Sequence, residues 1–130
     1  MNVKGTFEVQ SQFEPPLSDV EGVSIGRARF TKQFSGPLTA TSTVEFIHAS
    51  AQALGSGTYV AIERITGTLD GKQGTFAVHH VGIMERGKQS LTIRVVADSG
   101  TGALKGLSGT MTIDIIEKQH HYGLDYTLQG

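Results

Sequence analysis

Cysteine and tryptophan are absent from this 130-residue sequence, proline occurs three times, and charged residues make up only 18% of it. Without cysteine there is no disulfide framework, no thiolate nucleophile and no Cys-type zinc site, so the fold must stand on packing alone, which a reducing compartment permits. Eleven Lys and Arg against twelve Asp and Glu leave a formal charge of −1. These charges are scattered, so no basic stripe exists to neutralise phosphates, and nucleic acid is not an expected partner. No run of about 20 apolar residues offers a membrane span, and Met1 to Gly5 lead directly into alternating residues without the apolar core of a signal peptide. The expectation is a cytoplasmic protein with no membrane partner.

What the chain has in excess is glycine, at 17 residues, against a usual share of about 7%. Gly36, Gly55, Gly57, Gly71 and Gly87 fall at turns. Gly67, Gly74 and Gly82 fall inside strands, where a missing side chain permits bending and leaves inward space. The length fits one domain, so residues 1–130 are expected to form a single β-barrel domain.

Almost every segment has a period of two, with turn residues about every ten positions, which is an all-β pattern with no convincing helix. Thr6 to Phe13 places Phe7, Val9 and Phe13 on one face, and Glu14-Pro15-Pro16 ends that strand. Leu17 to Gly26 is acidic and aperiodic and reads as a loop; a second strand carries Ala28, Phe30 and Phe34 on one face. Leu38 to Ala49 is a third strand with apolar residues on both faces, so its inward face stays open. Thr58 to Leu69 and Lys72 to Met84 flank Asp70-Gly71, a strong two-residue hairpin signal because both positions tolerate positive φ.

That turn sets a register. Leu69 faces Lys72, Ile65 faces Phe76 and Glu63 faces Val78, so Tyr59, Ala61, Glu63, Ile65, Phe76, Val78 and His80 share a face, with Glu63 and His80 on the diagonal. Arg86-Gly87 repeats the device and sets Ile93 against His80 and Val95 against Val78. The Leu91, Ile93, Val95 face is plainly apolar, so the Glu63 and His80 face is the inward one. A Gly-rich crossover from Ser99 to Leu107 with room for one helical turn follows. Met111, Ile113 and Ile115 then alternate, Lys118-Gln119 turns the chain, and Tyr122, Leu124, Tyr126 and Leu128 pair onto the inward face.

About eight strands in hairpin order can close on themselves, which abolishes edges and leaves an interior that holds side chains or one small ligand. The expected fold is a closed up-and-down, or meander, antiparallel barrel. Its inward residues are mostly apolar, and a lumen ligand is expected to be apolar too. On the outside, Val60, Ile62, Val81 and Ile83 lie together, which suggests a homo-oligomer contact.

Glu63 with His80 is the sharpest polar pair. A carboxylate beside an imidazole among Ile, Val and Phe suits general acid/base work on a lumen ligand; the plainer alternative is a satisfied pair that pins the barrel. Glu45 joins them if the third strand turns that face inward. Tyr122 and Tyr126 offer hydroxyls, and Tyr59 and Phe76 offer rings, so Glu45, Tyr59, Phe76, Tyr122 and Tyr126 are the candidate ligand contacts. No cofactor or metal is expected: His79-His80 and His120-His121 are neighbours on extended chain, so each pair points to opposite faces.

Gly82 to Gln89 nearly matches a phosphate-binding loop, but Gln89 stands where Ser or Thr is needed and the flanks read as a hairpin. Gly100 to Gly106 has one residue too many for a dinucleotide fingerprint and no βαβ unit around it. No Gly-x-Ser-x-Gly elbow is present.

Five blocks carry a resemblance: Gly5 to Val9, Ser42 to Phe46, Ile62 to Lys72, Gly74 to Gly82 and Gly100 to Gly109. In this order they resemble the bacterial domain of unknown function 3224 family, nearly end to end. The resemblance implies an allene oxide cyclase-like barrel, related to that of the dirigent proteins, and makes Glu63-Arg64 and His80 characteristic positions. It also implies that Glu14 to Ser24 is a variable insertion and a candidate lid over the barrel mouth. Fold alone does not give function. Three readings therefore stand: a barrel that binds a small apolar molecule, an isomerase or cyclase that uses Glu63 and His80 as acid and base, and a structural protein with a filled core.

Overall fold

The computed structural model describes residues 1–129. Nine strands follow one another: β1 (Asn2–Phe13), β2 (Ser18–Val20), β3 (Val23–Ser35), β4 (Leu38–Ala51), β5 (Ser56–Leu69), β6 (Lys72–Glu85), β7 (Lys88–Val95), β8 (Leu107–Ile116) and β9 (Gln119–Leu128). From β3 to β9 each strand pairs with the next, β9 pairs with β1, and β1 pairs back onto β3. Eight strands thus form a closed antiparallel meander barrel, the allene oxide cyclase-like architecture, and the three-residue β2 pairs with β3 outside that ring.

The two-residue turns set the registers anticipated from the sequence. Leu69 faces Lys72, Ile65 faces Phe76 and Glu63 faces Val78; Ile93 faces His80 and Val95 faces Val78. Asp70 and Arg86 adopt positive φ, followed by Gly71 and Gly87, as primed hairpin turns require.

Four expectations need correction. Leu17 to Gly26 is not a loop: β2 turns through Glu21-Gly22 into an early start of β3. The last hairpin turns at Glu117-Lys118, both with positive φ, and Gln119 already pairs with Ile116. Ile115 is 66% exposed: β7 pairs with β8 only at Ile93↔Met111 and Arg94↔Thr110, so that part of β8 has no partner on its β7 side. Phe13, paired with Ala28 at the end of β1, faces the open end of the barrel and is 65% exposed instead of buried.

The interior divides into two halves. Phe7, Phe34, Leu38, Ile65, Leu69, Phe76, Leu107, Tyr122, Leu124 and Tyr126 fill one end. Leu104, from the 3-10 turn Gly102–Leu104, packs into the same cluster. The crossover that carries it is itself bound along β6: Val96 N–H donates to the Ala77 carbonyl (2.8 Å), Ala77 N–H to Ser99 Oγ (3.0 Å) and Thr101 N–H to the Thr75 carbonyl (2.8 Å). The opposite end is open. No helix among the described residues is long and apolar enough to cross a membrane.

Candidate functional site

Between the filled end and the open end lies a buried polar layer of Lys32, Ser42, Glu63 and His80, contributed by β3, β4, β5 and β6. Glu63 is fully buried. Its Oε1 accepts from Lys32 Nζ (3.3 Å) and lies 2.8 Å from His80 Nε2, and its Oε2 accepts from Ser42 Oγ (2.6 Å). Burial alone would raise the Glu63 pKa, but the His80 hydrogen bond, the Lys32 charge and the Ser42 hydroxyl together outweigh it and hold the carboxyl below its ordinary value. Lys32 also sits over the Phe7 ring, 4.8 Å from its centroid.

An ionised carboxylate only accepts hydrogen bonds, so the network assigns a proton to His80 Nε2. In the neutral imidazole this leaves the Nδ1 lone pair free. Among the described residues His80 Nδ1 has no hydrogen-bond partner, while Nε2 is committed to Glu63.

Above this layer the open end forms a cavity of about 770 Å³. One wall is aromatic. Phe46 stacks on Tyr59 (centroids 4.5 Å apart, planes at 26°), meets His48 at 5.6 Å and stands perpendicular to Phe30 at 5.1 Å. Met84, Leu91 and Ile113 also line it. His80 lies one inward position below Gly82, which borders the cavity, and is not itself in the wall. The space expected at Gly82 is occupied: a Cβ there would collide with the Tyr59 ring.

Residues 3–126 match the model of a family described as "Protein of unknown function (DUF3224)". The chain belongs to the DUF3224 family. A crystal structure of a protein with unknown function from the DUF3224 family, from Shewanella oneidensis MR-1, is 40% identical to it. The match covers 100% of this chain and 98% of that one, with a TM-score of 0.93. No curated protein matches the chain significantly.

In this DUF3224 protein the candidate residues identified from the sequence fall in four places. Glu63 and His80 meet in the polar layer. Tyr59 borders the cavity, where burial pushes its hydroxyl pKa up. Phe76, Tyr122 and Tyr126 pack in the filled end, away from the cavity. There the Tyr122 hydroxyl accepts from Leu38 N–H (3.0 Å) and donates toward the carbonyls of Ser35 and Leu38, and the Tyr126 hydroxyl donates to the Asp70 carboxylate. Glu45 points outward, a correction to its candidacy for the lumen: it is exposed and pairs with Arg29 Nη2 at 2.7 Å. Leu38, Ala40, Ser42 and Val44 take the inward face of β4 instead. None of the residues Glu14 to Ser24, the candidate lid, is among those that line the cavity.

Sequence reasoning missed Lys32 and Ser42. The signal for Lys32 was present, since it alternates with Phe30 and Phe34 and so shares their inward face. Ser42 depended on the face of β4, which the sequence left open.

Proposed function

We propose that this DUF3224 barrel binds a small, predominantly apolar molecule in its mouth cavity and moves a proton on it, as an isomerase or cyclase does. His80 is the acid/base group and Glu63 its positioning residue. The observation that supports this reading is the pairing of His80 Nε2 with an ionised, fully buried carboxylate while Nδ1 stays without a partner. Nδ1 takes a proton from the ligand, Glu63 stabilises the resulting imidazolium, and Nδ1 returns the proton to another ligand atom. Lys32 and Ser42 keep Glu63 ionised and in place.

Binding without chemistry is the second reading, favoured by the position of His80 beneath the cavity floor instead of in its wall. One experiment separates the two. Native mass spectrometry of protein taken from cells identifies a retained molecule, which is then incubated in deuterated water with wild type, His80→Ala and Glu63→Gln. Deuterium incorporation by wild type that is lost in His80→Ala, with binding retained, supports proton transfer. Equal incorporation in all three, or in none, leaves binding alone.

A further inference from the structure

The mouth cavity carries a selectivity that goes beyond apolarity. We infer that it takes a flat, uncharged aromatic or conjugated molecule, an inference that rests on the cavity being a binding site. Three observations point there. First, no Lys, Arg, Asp or Glu is among the residues that line the cavity. A carboxylate, phosphate or ammonium group drawn inside would lose hydration and meet no Lys, Arg, Asp or Glu in the wall, which is unfavourable. The neutral polar groups at the rim, among them Gln52, Gln89 and Ser90, suit a hydroxyl or carbonyl instead.

Second, the two sides differ in kind. Phe46, Tyr59 and His48 form a connected set of rings. Met84, Leu91 and Ile113 offer flexible or branched aliphatic surface that adapts to the second face of a plate. Third, the rings are held in advance. The Tyr59 ring occupies the place of a Gly82 side chain, and His48 Nε2 lies 3.0 Å from where a Cβ on Gly26 would be. Glycines opposite these two rings leave room for them, so the aromatic wall is in place without reorganisation. The volume of about 770 Å³ is in the range of small-molecule sites.

Two fluorescent probes with related aromatic nuclei test the charge preference: the neutral N-phenyl-1-naphthylamine and the anionic 8-anilinonaphthalene-1-sulfonate. The neutral probe is expected to bind saturably, and the sulfonate at least tenfold more weakly. A flat naphthol is expected to displace the bound probe at least tenfold better than the globular, saturated 1-adamantanol. Leu91→Trp, at a half-exposed wall position that tolerates a larger ring, blocks the cavity and is expected to abolish binding with its thermal midpoint retained. Phe46→Leu is expected to weaken the neutral probe about tenfold. If both probes bind alike and Leu91→Trp abolishes both, the cavity binds ligands but the charge preference is wrong. If adamantanol competes as well as naphthol, the preference for flat molecules is wrong. If neither probe binds, or Leu91→Trp leaves binding intact, the binding reading falls along with this inference.

Discussion

Glu63 and His80 are not register partners. Glu63 faces Val78 and His80 faces Ala61, and the two meet on the diagonal between β5 and β6 at 2.8 Å. A diagonal pair needs long side chains to close the gap, and here both ends are fixed further: Ser42 and Lys32 hold the carboxylate from β4 and β3. Replacing Lys32 with Met leaves a buried carboxylate without its full counter-charge, so this change is expected to cost about 3–5 kcal/mol. Urea unfolding at neutral pH measures it, and a change below about 1 kcal/mol would show that the layer is not electrostatically coupled.

The same network predicts an acid limb. Glu63 has a pKa below its ordinary value in the folded protein, so it contributes stability that is fully present above the unfolded carboxyl value of about 4.3 and is lost as pH falls through the lower folded value. Glu63→Gln cannot take up that proton. It is expected to be less stable than wild type at neutral pH, and the gap is expected to narrow between about pH 5 and pH 3. Unfolding midpoints across that range test the sign; a gap that widens on acidification contradicts the assignment.

At the filled end the sign reverses. Burial first, then the hydrogen bond and charge of Asp70, push the Tyr126 hydroxyl up to about 12. A raised pKa on a phenol gives stability that is present below the unfolded value of about 10 and is lost as pH rises through the folded one. Wild type is expected to lose stability more steeply than Tyr126→Phe between about pH 10 and pH 12. Ultraviolet titration of tyrosinate in both proteins checks the assignment, and a Tyr126 that ionises at the free-phenol value of about 10 refutes it.

Tyr59 and Gly82 form a complementary pair across β5 and β6. Gly82→Ala is expected to destabilise by about 1–3 kcal/mol through overpacking. The penalty is expected to shrink in a Tyr59→Ala background, because the atom it collides with is gone. A double-mutant cycle measures this, and additive costs would place the strain elsewhere.

On the outer surface Ile47 faces Val60 and Val60 faces Val81, with Ile62 and Ile83 beside them. Val60 and Ile62 are about half exposed, at 49% and 56%. We propose that this patch joins two copies of the chain, since contiguous apolar surface of this kind marks contacts more often than solvent. Sedimentation velocity at micromolar concentration is expected to show a dimer for wild type and a monomer for Ile62→Glu. A monomeric wild type rejects the contact.

The sequence by itself determined the hairpin registers of β5, β6 and β7 and the shared face of Glu63 and His80. Period two and a two-residue turn are local, and a turn of known length allows no slip without turning every side chain over. It also determined that eight strands in meander order should close. It did not determine the inward face of β4, because apolar residues on both sides made the alternation ambiguous, and so Glu45 and Ser42 exchanged roles. Only tertiary structure decided which groups reach Glu63: Lys32 and Ser42 are 31 and 21 positions away in sequence. Lys32 is the register partner of Ser42 across β3 and β4, and β4 pairs with β5, so two successive hairpins carry both groups to Glu63. Tertiary packing also decided that Leu104, Phe76, Tyr122 and Tyr126 fill one end while Tyr59 and Phe46 wall the other. Alternation tells a residue to face inward but not at which depth, and depth separates the filled core from the cavity.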